Sequence, residues 1–155
     1  NKATLQEIQD IMKRDIHWYD WEQYQAREIT NPKGATIKEF KPPQSIFMLL
    51  DICVPGNREA FVTMTAQLAQ TLEDGFIYTM LWKHVRNLLI VKSGVPSAAV
   101  PAWQKLKLMA QAQRWQQDKL LGFYEGLARI DQTIKTSSNP YGIKKSLDIL
   151  ACYYL

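Results

Sequence analysis

Apolar side chains return along this chain in steps of three and four, and the clearest run lies near its end. In QQDKLLGFYEGLARIDQTIKTSSNP, beginning at Gln116, they fall at Leu120, Phe123, Tyr124, Leu127, Ile130 and Ile134. That spacing lines one face of an α-helix. Ser-Ser-Asn-Pro then stops the helix, with Asn139 placed to cap the next and Pro140 suited to its first turn. The following segment carries Ile143, Leu147, Leu150 and Tyr154 on one face. Two matched stripes with a short break between them predict an antiparallel helical hairpin.

Upstream the same period recurs between punctuation marks. Ser45 is expected to cap the short apolar helix IFMLLDICV, which Pro55-Gly56 ends. Asn57 is expected to cap a helix with Phe61, Met64, Leu68 and Leu72 on one side. Asp74-Gly75 breaks that helix, and Phe76 opens another that closes at Lys92-Ser93-Gly94, a C-cap signal. Pro101 starts a helix expected to turn Trp103, Leu106 and Met109 inward and Lys105 and Lys107 outward. Near the start, Thr4-Leu5-Gln6-Glu7 forms a capping box for a helix over residues 4–14. The stretch from Arg27 to Gln44, with Asn31-Pro32-Lys33-Gly34 and Pro42-Pro43, reads as a linker. The predicted fold is all-α: a compact bundle of about six to eight helices ending in the hairpin. Residues 1–44 form a helical segment plus linker, and residues 45–155 form the main helical domain.

Composition narrows the partners. The formal charge of +4 is unevenly spread: residues 1–100 hold eleven Lys/Arg against eleven Asp/Glu, and residues 101–155 hold eight against four. A basic C-terminal half, with Lys105 and Lys107 on one helix, could hold phosphates, although surplus charge on helices is more often a solvated face. Trp18, Trp21 and Tyr24, spaced three and three, could stack on unpaired bases, or could simply pack the N-terminal segment. No apolar run is long enough to span a membrane. Cys53 and Cys152 read as buried free thiols of a reducing cytoplasm, with a disulfide as the alternative. His84 has no histidine or carboxylate at a matched spacing and reads as a partly exposed polar residue. No cofactor is expected. The sequence has no GxxxxGK[ST] phosphate loop, and its seven glycines form no cradle.

One helix has more apolar residues than a single face requires. Residues 76–91 carry Phe76, Ile77, Met80, Leu81, Trp82, Leu88, Leu89 and Ile90 on more than one side. The excess makes Trp82, with Arg86 one turn on, a candidate interface.

Four passages taken in order resemble the C-terminal domain of the delta subunit of the bacterial DNA polymerase III clamp loader. SIFMLLDICVPGNREAF is similar to that family's short apolar helix, glycine-asparagine turn and next helix. LWKHVRNLLIVKSG resembles its helix with a basic residue before a leucine pair and a closing lysine. PAWQKLKLMAQAQRW resembles its Pro-led helix, and LARIDQTIKTSSNP its closing hairpin, with Asp131 and Lys135 at the expected places. The resemblance spans Ser45 to Leu155 and implies a helical collar domain in DNA replication. It implies as partners the other loader subunits, of gamma/tau and delta-prime type, with the sliding clamp and primer-template DNA reached through the complex. It also implies a cytoplasmic, non-hydrolysing subunit with no chemistry of its own. The chain, which begins Asn-Lys, is then expected to be one piece of a longer protein whose AAA+-like module lies upstream. The alternative is an independent helical nucleic-acid-binding domain.

Overall fold

A computed structural model describes Asp10, Thr36, residues 42–95, Val100 and residues 102–155. The chain divides into two compact units, Asn1–Pro42 and Pro43–Leu155, and the architecture below is that of the second. The expected helix over residues 4–14 (Asp10 apart) and the Asn31–Gly34 turn signal lie outside the described residues; Pro42 and Pro43 stand outside any helix as expected, but Gln44, read as the end of the linker, already begins a helix.

The second unit is all-α. Among the described residues its six helices are α1 (Gln44–Ile52), α2 (Arg58–Leu68), α3 (Asp74–Ser93), α4 (Ala102–Gln113), α5 (Gln117–Lys135) and α6 (Gly142–Tyr154). There is no strand among the described residues. Helix α3 is the hub: it packs against α1, α4, α5 and α6, while α2 lies on α1 and α6. That position uses the excess of apolar residues on α3. Ile77, Leu81, Val85 and Leu88 are buried, and Tyr78, Met80, Trp82, Leu89 and Ile90 pack half-buried around them. A helix covered on several sides needs more than one apolar face.

The closing hairpin forms as its stripes predict. Leu120, Phe123, Leu127 and Leu147 are fully buried, and Ile130 and Leu150 nearly so. Its sense is fixed by two glycines. A Cβ on Gly122 would meet the ring of Tyr154, and one on Gly126 would meet the Leu150 side chain. As the position on α5 advances by one turn its partner on α6 retreats by one turn, so the helices are antiparallel. The paired glycines let α6 approach closely enough for Leu150 and Tyr154 to seat in the notch. Phe123 is then enclosed by Trp115 at 5.5 Å and by Tyr154, edge-on, at 5.9 Å.

Helix ends depart from the sequence expectations in instructive ways. Gly94 takes the left-handed conformation and ends α3 as expected. Asn139 accepts hydrogen bonds from the amides of Tyr141 and Gly142, so it does cap the entry to α6, but α6 begins at Gly142 and Pro140 precedes it. Ser45 lies inside α1, which starts at Gln44 after Pro43. Asn57 stands at the N-cap position of α2, but its amide turns back and donates to the Ile52 carbonyl, at 3.3 Å, serving the end of α1 instead. Asp74 and Gly75 belong to the first turn of α3 rather than to a break. Cys53 is buried as expected, and burial pushes its thiol pKa up. Cys152 is exposed because the stripe Ile143–Leu147–Leu150–Tyr154 turns it away from the core.

Candidate interaction surface

Helix α4 inverts its predicted orientation. Successive residues turn by about 100°, so its sequence offers two stripes. One is Trp103–Leu106–Met109 with Ala110, and the other is Leu108–Gln111–Ala112–Trp115. The second is buried. Trp103 is 78% exposed, Leu106 79% and Met109 40%, which overturns the expectation that these three face inward.

The reason is the C-terminal end of α1. The last carbonyls of a helix have no partners within it and need donors from elsewhere. Gln111 supplies them: its Nε2 donates to the carbonyl of Leu50 at 2.7 Å and of Cys53 at 3.2 Å, with that of Asp51 at 3.4 Å. Trp115 Nε1 also donates to the Cys53 carbonyl, at 3.2 Å. These carbonyls fix which way the Gln111 amide points, so its Oε1 faces His84 Nε2 at 3.0 Å. The histidine is therefore the tautomer with hydrogen on Nε2, and it donates. Burial depresses its pKa from 6.5 to about 4, partly offset by the Gln111 bond. Lys92 donates to the Ala112 carbonyl at 3.0 Å and serves the C-terminal end of α4. A buried amide bridging three elements sets which side of α4 faces in, and the more apolar stripe is left outside.

The outward side has a definite layout. Trp103, Leu106, Met109 and Ala110 form its apolar centre. Lys107 borders it on one side and Lys105 on the other, with Arg114 in the turn just past the helix, all exposed. Residues 102–115 contain no acid. Lys107 pairs with Asp51 of α1 at 2.7 Å, an exposed bridge that orients more than it stabilises. The bridge joins the α4 face bearing Trp103 to the α1 face bearing Phe47, which is itself exposed, as is the neighbouring Met48.

The other sequence candidates lie elsewhere. Trp82 is half-buried and stacks on Tyr124 of α5 at 5.9 Å. Arg86 is exposed one turn further along the same side of α3. There Tyr78 donates to the Leu127 carbonyl at 2.8 Å, and its pKa is pushed up to about 12 by burial, then by Asp131 and Tyr124. His84 and Lys92 face α4 from the opposite side, so Trp82 and Arg86 are not brought together with Lys105 and Lys107. Trp18 and Trp21 lie outside the described residues. Sequence reading gave Gln111 no role, since a lone glutamine in an apolar stripe carries no sign of the carbonyls it will meet.

Among the described residues no cluster of His, Cys, Asp and Glu is arranged to hold a metal ion. A groove at the end of α6 gathers Arg58, Lys119, Cys152 and Tyr153, and another follows α2 past Ala60, Thr63 and Gln67. No described helix is long and apolar enough to cross a membrane. Compared with protein-family models, with curated proteins and with solved structures, the chain matches none.

Proposed function

We propose that this chain is a subunit-interaction domain, the helical collar of a clamp-loader delta-type subunit in DNA replication. The resemblance in order and spacing from Ser45 to Leu155 supports the family. The single observation that carries the interaction role is the exposed Trp103–Leu106–Met109 stripe on α4. Contiguous exposed apolar surface rimmed by polar groups is characteristic of association sites. In this reading the domain works in the cytoplasm, binds loader subunits of gamma/tau and delta-prime type, and meets the sliding clamp and primer-template DNA through the complex. It needs no cofactor and performs no catalysis itself.

A pull-down against those subunits tests the reading, with Trp103→Ala, Leu106→Ala, Trp82→Ala and Arg86→Ala compared with the unaltered chain. Association that drops about tenfold or more with Trp103→Ala, with the thermal melt unchanged, is the expected result. No association with any loader subunit would remove the clamp-loader assignment. The independent nucleic-acid reading is favoured by one observation, the exposed Lys105 and Lys107 beside Trp103 on α4. It predicts binding that weakens steeply with salt, whereas apolar subunit association does not.

A further inference from the structure

The charge pattern around the α4 stripe goes further than its exposure. Viewed down the helix, the apolar centre formed by Trp103, Leu106, Met109 and Ala110 has Lys107 along one edge and Lys105 along the other, and Arg114 follows in the turn just past its C-terminal end. Asp51, the acid that meets this face through α1, already pairs with Lys107. Residues 102–115, which include Lys105 and Arg114, contain no acid to pair with them. A surface apolar along its middle and basic along both edges is the complement of a helix apolar along one stripe and acidic on both flanks.

Other occupants fit less well. A second copy of this chain, related by a two-fold axis, would set Lys105, Lys107 and Arg114 against their own equivalents, where like charges repel. Nucleic acid would use the positive edges, but Leu106 and Met109 offer no ring on which a base could stack, and one tryptophan is a small platform.

We propose that the outward face of α4 docks an acidic amphipathic helix from a partner protein, with Trp103 and Leu106 filling its apolar stripe and Lys105 and Arg114 engaging its acidic flanks. This rests on the reading of the chain as an interaction domain, but not on the identity of the assembly.

The test is a selection of binders to the full chain from a displayed library of amphipathic helical peptides with random residues on the flanks. The expected clones carry net negative flanks, and lose about tenfold or more in affinity on Trp103→Ala, the loss of a buried aromatic anchor. Lys105→Glu combined with Arg114→Glu should reverse the preference toward basic flanks. Thermal melts of both variants, expected to match the unaltered chain, check that the fold is intact. Four outcomes overturn the proposal: no binders emerge, binders are neutral or basic, binders are indifferent to Trp103, or an oligothymidylate or anionic phospholipid vesicles occupy the Trp103 face in their place. Loss of loader association with acidic binders still selected would remove the assembly assigned above and leave this site standing. Loader association that survives while the selection fails would remove this site alone.

Discussion

The α5–α6 hairpin and the α1–α4 corner are both built from helices with apolar stripes, yet they are held by opposite means. In the hairpin, apolar stripes face each other across a glycine notch, and the core residues Leu120, Phe123, Leu127 and Leu147 are sealed between them. At the corner, the inward contact is made by an amide and an indole serving the carbonyls at the end of α1, with an imidazole donating to that amide, while the apolar stripe of α4 looks outward. The contrast teaches that an apolar stripe marks a face to be covered without saying by what. The protein's own core covers one, and the other is left exposed.

The sharpest test of this contrast is truncation in the hairpin. Leu127→Ala and Leu147→Ala should each cost about 2–5 kcal/mol in denaturant melts, since both leave a cavity in a packed core. A comparably large loss from Trp103→Ala would erase the distinction between the two faces.

Next in size is the response of the corner to acid. The folded state holds His84 neutral down to about pH 4, whereas the unfolded chain protonates it near 6.5. Below 6.5 the unfolded state therefore binds more protons, and stability falls as pH falls until it levels below about 4. The full loss is on the order of 3 kcal/mol. Comparing pH-dependent melts of the protein and of His84→Gln isolates this contribution from titrating carboxylates: the difference should be constant above pH 7 and change by about 1.4 kcal/mol per pH unit between about 6 and 4.

Gln111→Leu should cost about 1–3 kcal/mol, because it removes the donor from buried carbonyls. An unchanged melt would mean that those carbonyls find other partners. The smallest effect belongs to Trp103→Ala, expected to shift stability by no more than about 0.5 kcal/mol while weakening association.

The sequence made the hairpin legible because stripe, stop and return lie within a few turns of one another. Gly94 was legible for the same reason: its left-handed turn is a local demand that glycine meets. The orientation of α4 was not. Its two stripes differ by a glutamine, and a hydrophobic count disfavours the one that is buried. What decides between them is the unpaired end of α1, far away in sequence. Trp82 shows the converse. Its apolar excess was visible, but that α3 stands at the centre of the bundle, with Tyr124 waiting to stack, depends on how all the helices assemble. Asn57 and Ser45 were read from neighbouring residues alone; Asn57 is drawn off by the carbonyl at the end of α1, and α1 begins one residue before Ser45.

The Gln111 and Trp115 bonds have a consequence for the order in which this molecule sets and loosens. They join residues 58 to 62 positions apart, whereas the hairpin closes across one short turn. Closing a long loop costs entropy that local contacts do not incur, so the corner forms after the hairpin and opens before it. Amide exchange should accordingly be slowest in the middle of α5 and α6 and faster in α1. The exposed apolar face of α4 thus lies on the more loosely fastened part of the fold, and if the proposed helix docks there it should slow exchange most at that corner.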